Sequence, residues 1–285
     1  MEIEKFTDPG DFLSRTVKFR AQNEVTTQMI GRAAQARLDG RGSQYEYCNW
    51  WVVQNEAREV IGLMMHTSPL NLVLSDMPEN VIANCVDTVL QDDPDFSGVN
   101  APQKLAKLFI EKFQAKEAQN NRFSLGISLH SYVLGKLRKP DFSSGIARVA
   151  VEQDFEIVRS WRQAFIVETE IDTIDNDELT RKAIGSNRIY IWENEGTPVS
   201  MASFTPFVET PASKITSIGG VYTPPDQRKR GYASSIVAFL SEFLIDQGLT
   251  VMLYTDAKNP TSNKIYIDLG FEYVQTNDNW NREKL

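Results

Sequence analysis

Cysteine and histidine are scarce in this chain, with two of each: Cys48 and Cys85, His66 and His130. Two thiols make no disulfide framework, and no Cys/His spacing suits a zinc ion, so no metal site is expected. Both histidines fall on β-prone runs of the first half, where a hydrogen-bonded core or rim imidazole is the ordinary reading. No uncharged run approaches the ~20 residues that a bilayer span needs. The acidic start Met-Glu-Ile-Glu lacks the apolar run of a secretory signal, which makes a cytoplasmic protein the expectation. Neither Gly-Lys-Ser/Thr of a P-loop nor Gly-x-Gly-x-x-Gly occurs, which disfavours nucleotide enzymes built on those loops. Positive charge is short as well. With 30 Lys and Arg against 38 Asp and Glu, the net charge of -8 leaves no broad basic field for nucleic acid.

What is present is ordinary for a globular protein: 285 residues, 41% hydrophobic and 24% charged, a length that favours two domains. Residues 11–38 carry loose helical periodicity, ended by the turn cluster Asp39 to Ser43. Three β-prone runs follow, 47–54, 60–66 and 71–74, and then a helix opened by Asp76 and Pro78. An extended piece at 98–100, an amphipathic helix over 101–118 and β character over 123–137 complete the half. Residues 138–145, charged and then rich in Pro, Ser and Gly, read as a linker between domains 1–140 and 141–285.

The second half predicts a strand at 146–151, a helix at 154–169, a turn over 172–177 and a short helix to Ala183. Strands follow at 189–192, 199–204 and 215–223. A helix over 234–246, with Gly248 as its terminating glycine, leads to a strand at 250–254, a helix over 259–269 and a last strand at 271–275. The element order echoes that of the first half, without residue-level repeats.

The most informative stretch is Gly219 to Ala233, in which a β-prone run gives way to Pro224-Pro225, a basic loop and a long apolar helix. The first N–H groups of a helix have no partner inside it, and the dipole makes that end partly positive, so a phosphate can dock there. Arg228, Lys229 and Arg230 add charge. Gly231 permits positive φ and close approach of an anion without a Cβ in the way.

Two segments together, Arg228-x-x-Gly231-x-Ala233 and Asn259-x-x-x-Asn263-x-x-Tyr266-x-x-Leu269-Gly270-Phe271, resemble the acetyl-CoA-binding half of the GCN5-related N-acetyltransferase superfamily. The resemblance covers roughly 146–274; over 1–140 it is one of element order. It implies an α+β fold of two such domains, each a mixed, mostly antiparallel sheet flanked by helices, the first a degenerate copy. The counterpart loop Asp76-Met77-Pro78-Glu79-Asn80 has no Arg, Lys or Gly and would repel a pyrophosphate.

The roles that follow belong to the resemblance. Backbone groups of Val221, Tyr222 and Thr223 would meet the pantetheine arm of acetyl-CoA. The loop of Arg228, Lys229, Arg230, Gly231, Tyr232, Ala233 and Ser234 would hold the pyrophosphate, with Asn259 and Asn263 beside the amide arm. Tyr266 matches the general acid that protonates the departing thiolate, ahead of Tyr222 and Tyr254. Glu168, Glu170 and Glu209 are the carboxylates available as base, and Trp50, Trp51 and Trp161 read as packing. The acceptor would be an amine on a small molecule or peptide. The competing expectation is an acyl-CoA-binding or regulatory protein without turnover.

Overall fold

The computed structural model of the chain describes residues 1–41, 45–117, 121–169 and 175–284. Gly42, Ser43, Ala118, the candidate base Glu170 and the start of the expected turn at Asp172 lie outside the described residues. In chain order the strands and helices are β1 (Glu2–Phe6), α1 (Pro9–Gln22), α2 (Glu24–Leu38), β2 (Cys48–Gln54), β3 (Val60–Thr67), β4 (Leu72–Leu74), α3 (Ile82–Asp92), β5 (Gly98–Pro102), α4 (Gln103–Lys116) and β6 (Asn121–Leu134). Then come β7 (Ile146–Val149), α5 (Phe155–Thr169), α6 (Asp177–Gly185), β8 (Ile189–Asn194), β9 (Thr197–Phe204), β10 (Val208–Glu209), β11 (Lys214–Tyr222), α7 (Tyr232–Asp246), β12 (Thr250–Asp256), α8 (Pro260–Asp268) and β13 (Phe271–Lys284).

They form two compact units. The first comprises Met1–Ser131, Val208–Ser213 and Gln275–Leu285; the second comprises Tyr132–Phe207 and Lys214–Val274. The expected division at 140/141 is therefore neither where the chain divides nor contiguous. β13 runs nine residues past the expected end at Gln275, and its Asn277 to Asn281 pair antiparallel with Pro102 to Gly98 of β5, which ties the C-terminal stretch to the first unit.

In the first unit the strand order is β1-β2-β3-β4-β5-β13-β6. Every neighbouring pair with a described register is antiparallel except β4 and β5, which run parallel through Leu72↔Val99 and Val73↔Asn100. The Trp50-Trp51 doublet follows from strand alternation: Trp51, Val53 and Met64 enter the core under α3 and α4, while Trp50, Val52 and Leu63 enter a second core with Phe12 and Ile30 of α1 and α2. A strand buried on both faces needs such an unbroken apolar run. α1 starts on Asp8, whose carboxylate accepts from the Asp11 N–H at 2.9 Å, with Pro9 in the first turn. Glu24 of α2 holds Val208–Ser213 in this unit, accepting from the hydroxyls of Thr210 and, at 2.8 Å, Ser213. After β4, the place of the acidic counterpart loop is filled by Met77. Its side chain is buried, packs over the backbone of Gly62 and lies 3.8 Å from the Cys85 sulfur, so the turn serves the core.

In the second unit the order is β12-β11-β9-β8-β7, antiparallel except for the pair β11 and β12, which run parallel. α7 buries Ile236, Val237, Leu240 and Leu244 on this sheet. It ends as its sequence predicts: Gly248, at φ 75°, donates to Ile245 O at 2.8 Å, and Leu249 donates to Leu244 O at 3.1 Å. Residues 138–145, expected as a linker, belong inside this unit. Arg138 N–H donates to Leu269 O at 2.9 Å, and Phe142 stacks on Trp192 with centroids 6.1 Å apart.

Candidate active site

The parallel pairing of β11 with β12 runs from Ile215↔Thr250 to Ile218↔Leu253 and stops, although β11 continues to Tyr222 and β12 to Asp256. The cause is local. On its other side β11 pairs Gly219 with Ser203 and Tyr222 with Met201, so a bulge falls between them, with Gly220 in the left-handed region at φ 59°. Ser203 Oγ donates to Gly219 O at 2.9 Å and Ser200 Oγ to Tyr222 O at 3.0 Å, which fastens the bulged segment to β9. The strand is drawn toward β9 and its edge toward β12 opens over Gly219 to Tyr222. Among the described residues, no heavy atom other than those of its chain neighbours lies within 4 Å of a Cβ placed on Gly219. An extended chain carrying amides can add to such an edge as a further strand.

Beyond the opened edge the loop turns its carbonyls inward. Thr223 O accepts from Arg228 Nε at 2.8 Å, Pro224 O from Gln227 N–H at 2.9 Å and Asp226 O from Arg230 Nη2 at 3.3 Å. Arg230 O accepts from Ser143 Oγ at 2.6 Å, and Gly231 O from Ser235 N–H at 3.0 Å. The backbone N–H groups of Lys229, Arg230, Gly231, Tyr232, Ala233 and Ser234 have no acceptor among the described residues, and no side chain caps α7. Lys229 at φ 63° and Gly231 at φ 79° are both left-handed, a backbone form that gathers successive N–H groups around an anion. With the helix dipole behind it, this row forms a cradle that could accept an anion such as a phosphate.

The motif residues do different things. Arg228 does not extend into the cradle; its guanidinium donates to both oxygens of Glu168 at 2.9 and 2.6 Å and lies over the Tyr222 ring. That side chain pins the loop to the last turn of α5. Lys229 and Arg230, on the loop itself, are exposed. The Tyr232 side chain is in the core, which leaves only its N–H for the site. Gly231 owes its identity to two local demands: its left-handed φ, and the Ser143 hydroxyl, which would lie 2.5 Å from an added Cβ. The phosphate approach inferred from sequence is not what fills that space.

Asn259 is the N-cap of α8 and accepts from Ser262 N–H at 3.0 Å. Asn263 Nδ2 donates to Asp256 O at 3.1 Å and fixes the end of β12 to α8, while its Oδ1 is buried without a partner among the described residues. Both act first as local supports. Tyr266, on α8, is 8% exposed and packs edge-on against Phe271; burial pushes its phenol up to about 12. Its hydroxyl has no hydrogen bond among the described residues, so its proton is uncommitted. The phenol of Tyr222 is also raised, by burial first and the Glu168 charge second, and its hydroxyl is spent on Glu168 at 3.4 Å.

Of the candidate bases, Glu168 has both oxygens occupied by Arg228, and Glu209 belongs to the first unit. His66 is a core residue of the first unit, as its strand position suggested; its Nδ1 lies 2.7 Å from Asp93, which Tyr47 and Asn49 also bond. Burial opposes ionisation of Asp93, but these hydrogen bonds outweigh it and hold the carboxyl below its ordinary range. No group of three or more His, Cys, Asp or Glu suited to a metal occurs among the described residues. No described helix is long and apolar enough to cross a membrane. Sequence reasoning missed Ser143, Ser200 and Ser203, whose partners are distant in the chain or lie on an adjacent strand.

The FR47-like protein family matches residues 208–281, which contain the opened edge, the cradle and Tyr266. No curated protein matches the chain. Among solved structures, an acetyltransferase of the GNAT family from Colwellia psychrerythraea superposes with a TM-score of 0.58 at 12% identity, covering 100% of both chains. A Drosophila protein gives 0.64 at 13% identity, covering 99% of this chain and 98% of its own. A GCN5-related N-acetyltransferase from Sphaerobacter thermophilus gives 0.58 at 12%, with 99% and 95% covered. The chain therefore shares its fold, over essentially its whole length, with solved acetyltransferases of the GCN5-related kind.

Proposed function

We propose that this protein is an acyltransferase that moves the acetyl group of acetyl-CoA directly to an amine. The observation that carries the reading is a juxtaposition. An opened strand edge, Gly219 to Tyr222, leads straight into a row of unpartnered N–H groups, Lys229 to Ser234. Pantetheine is an extended chain with two amides and suits the edge; the pyrophosphate suits the cradle. A free phosphate would use only the second.

In the transfer, the amine nitrogen attacks the thioester carbonyl and sheds a proton to water, the C–S bond breaks and the sulfur leaves as thiolate. Tyr266 supplies the proton that the thiolate takes up. A phenol held near 12 stays protonated at neutral pH, as an acid must. Full transfer to a free thiolate of pKa ~8.5 would be uphill by about 5 kcal/mol, so the phenol acts chiefly by hydrogen bonding the sulfur as charge develops, and the proton follows afterwards. The ammonium form of the acceptor loses its proton to water before attack; Glu168 is paired with Arg228.

Thermal denaturation with added CoA, acetyl-CoA, ATP or NAD tests the cofactor. CoA and acetyl-CoA are expected to stabilise the protein as ligands that bind only the folded state, with little effect from the other two. Equal shifts from all four would remove the assignment. Thiol release from acetyl-CoA across a panel of amines then identifies the acceptor, and no release with any of them would favour a binding protein without turnover.

A further inference from the structure

We infer that Ser143, in the stretch before β7, is a positioning residue for the phosphate cradle. The inference rests on the acetyl-CoA reading above and adds a residue outside the loop motif. An anion cradle fails if a carbonyl turns into it, because the oxygen repels the phosphate and an N–H is lost from the row. Arg230 lies between the two left-handed residues Lys229 and Gly231, where a peptide flip is sterically easy for the glycine. Among the described residues its carbonyl is held by one group from outside the loop, the Ser143 hydroxyl at 2.6 Å.

Ser143 is itself fixed from several directions. Its N–H donates to Ser235 Oγ at 2.9 Å, and Ser235 is fully buried in α7. Phe142 stacks on Trp192 with the rings 7° from parallel, and the Trp192 indole N–H donates to Ser144 O at 3.0 Å. Gly145, at φ 115°, lies where a Cβ would strike the Glu193 carbonyl. The hydroxyl therefore approaches the loop on a braced segment, close enough to require glycine at 231. It makes no claim on the ligand; it acts through the Arg230 carbonyl.

The test is calorimetric titration of the full chain with CoA and with pantetheine, which lacks the pyrophosphate. S143A is expected to weaken CoA about fivefold, equivalent to the ~1 kcal/mol of one hydrogen bond, and to lower the ratio of CoA to pantetheine affinity by the same factor. S143T keeps the hydroxyl and is expected to lie within about twofold of the parent. An unchanged ratio in S143A, or equal losses in S143A and S143T, would overturn the role. Failure of the parent protein to bind CoA would instead overturn the acetyl-CoA reading, so the two failures are told apart.

Discussion

Replacing Gly231 with alanine tests the geometry of the cradle with one methyl group. At φ 79° an L residue pays roughly 1 kcal/mol for left-handed backbone. The new Cβ would also stand 2.5 Å from Ser143 Oγ, so that hydroxyl must move off the Arg230 carbonyl, with the loss of a hydrogen bond that contributes ~1 kcal/mol. The sum is about 2 kcal/mol, equivalent to about 30-fold in an equilibrium constant. It divides between stability, if the loop keeps its shape, and ligand affinity, if the loop relaxes. Urea unfolding and CoA titration on the same preparation capture both parts. Repeating them in an S143A background separates the terms, because the collision disappears and the backbone cost of ~1 kcal/mol remains. A G231A protein with the stability and CoA affinity of its parent would mean that neither the left-handed backbone nor the Ser143 contact constrains the loop.

Tyr266→Phe removes an uncommitted hydroxyl from a packed ring, so acetyl-CoA affinity is expected to hold while turnover falls about 100-fold, the lower end of general-acid effects. The phenol loses its proton only as pH rises through about 12, so turnover by the parent should show no alkaline fall from this residue below pH 10; a limb near 9 that vanishes in Y266F would contradict the raised value. Glu168→Gln breaks the charge pair that holds Arg228 against α5. If Arg228 pins the loop, CoA binding weakens by several-fold in titration; if Arg228 instead contacts phosphate, its release strengthens binding.

The elements of the second unit were legible because each carries its own local signal: the stripe of α7, Gly248 after it, and Asn259-Pro260 opening α8. The motif spacing also located the loop. What the loop residues do was not legible, because it depends on partners far along the chain. Arg228 reads as a phosphate ligand until Glu168 is placed beside it. Gly231 reads as room for an anion until Ser143 occupies that room. The stretch 138–145 has the composition of a linker, and only its contacts with Leu269, Ser235 and Trp192 put it in the second unit. β1 at Glu2–Phe6 and the long tail of β13 were missed for a similar reason. Charged and asparagine-rich strands carry little alternation of apolar residues, and their partners Trp50 to Gln54 and Gly98 to Pro102 stabilise them.

The central claim, that an opened edge and a row of free N–H groups together bind one CoA molecule, is tested most directly by amide hydrogen exchange with and without CoA. Slowed exchange is expected at both Gly219 to Thr223 and Lys229 to Ser234, in parallel with CoA occupancy. Slowing confined to the second segment, with adenosine diphosphate as effective as CoA, would leave only a phosphate site and no strand edge that takes up pantetheine.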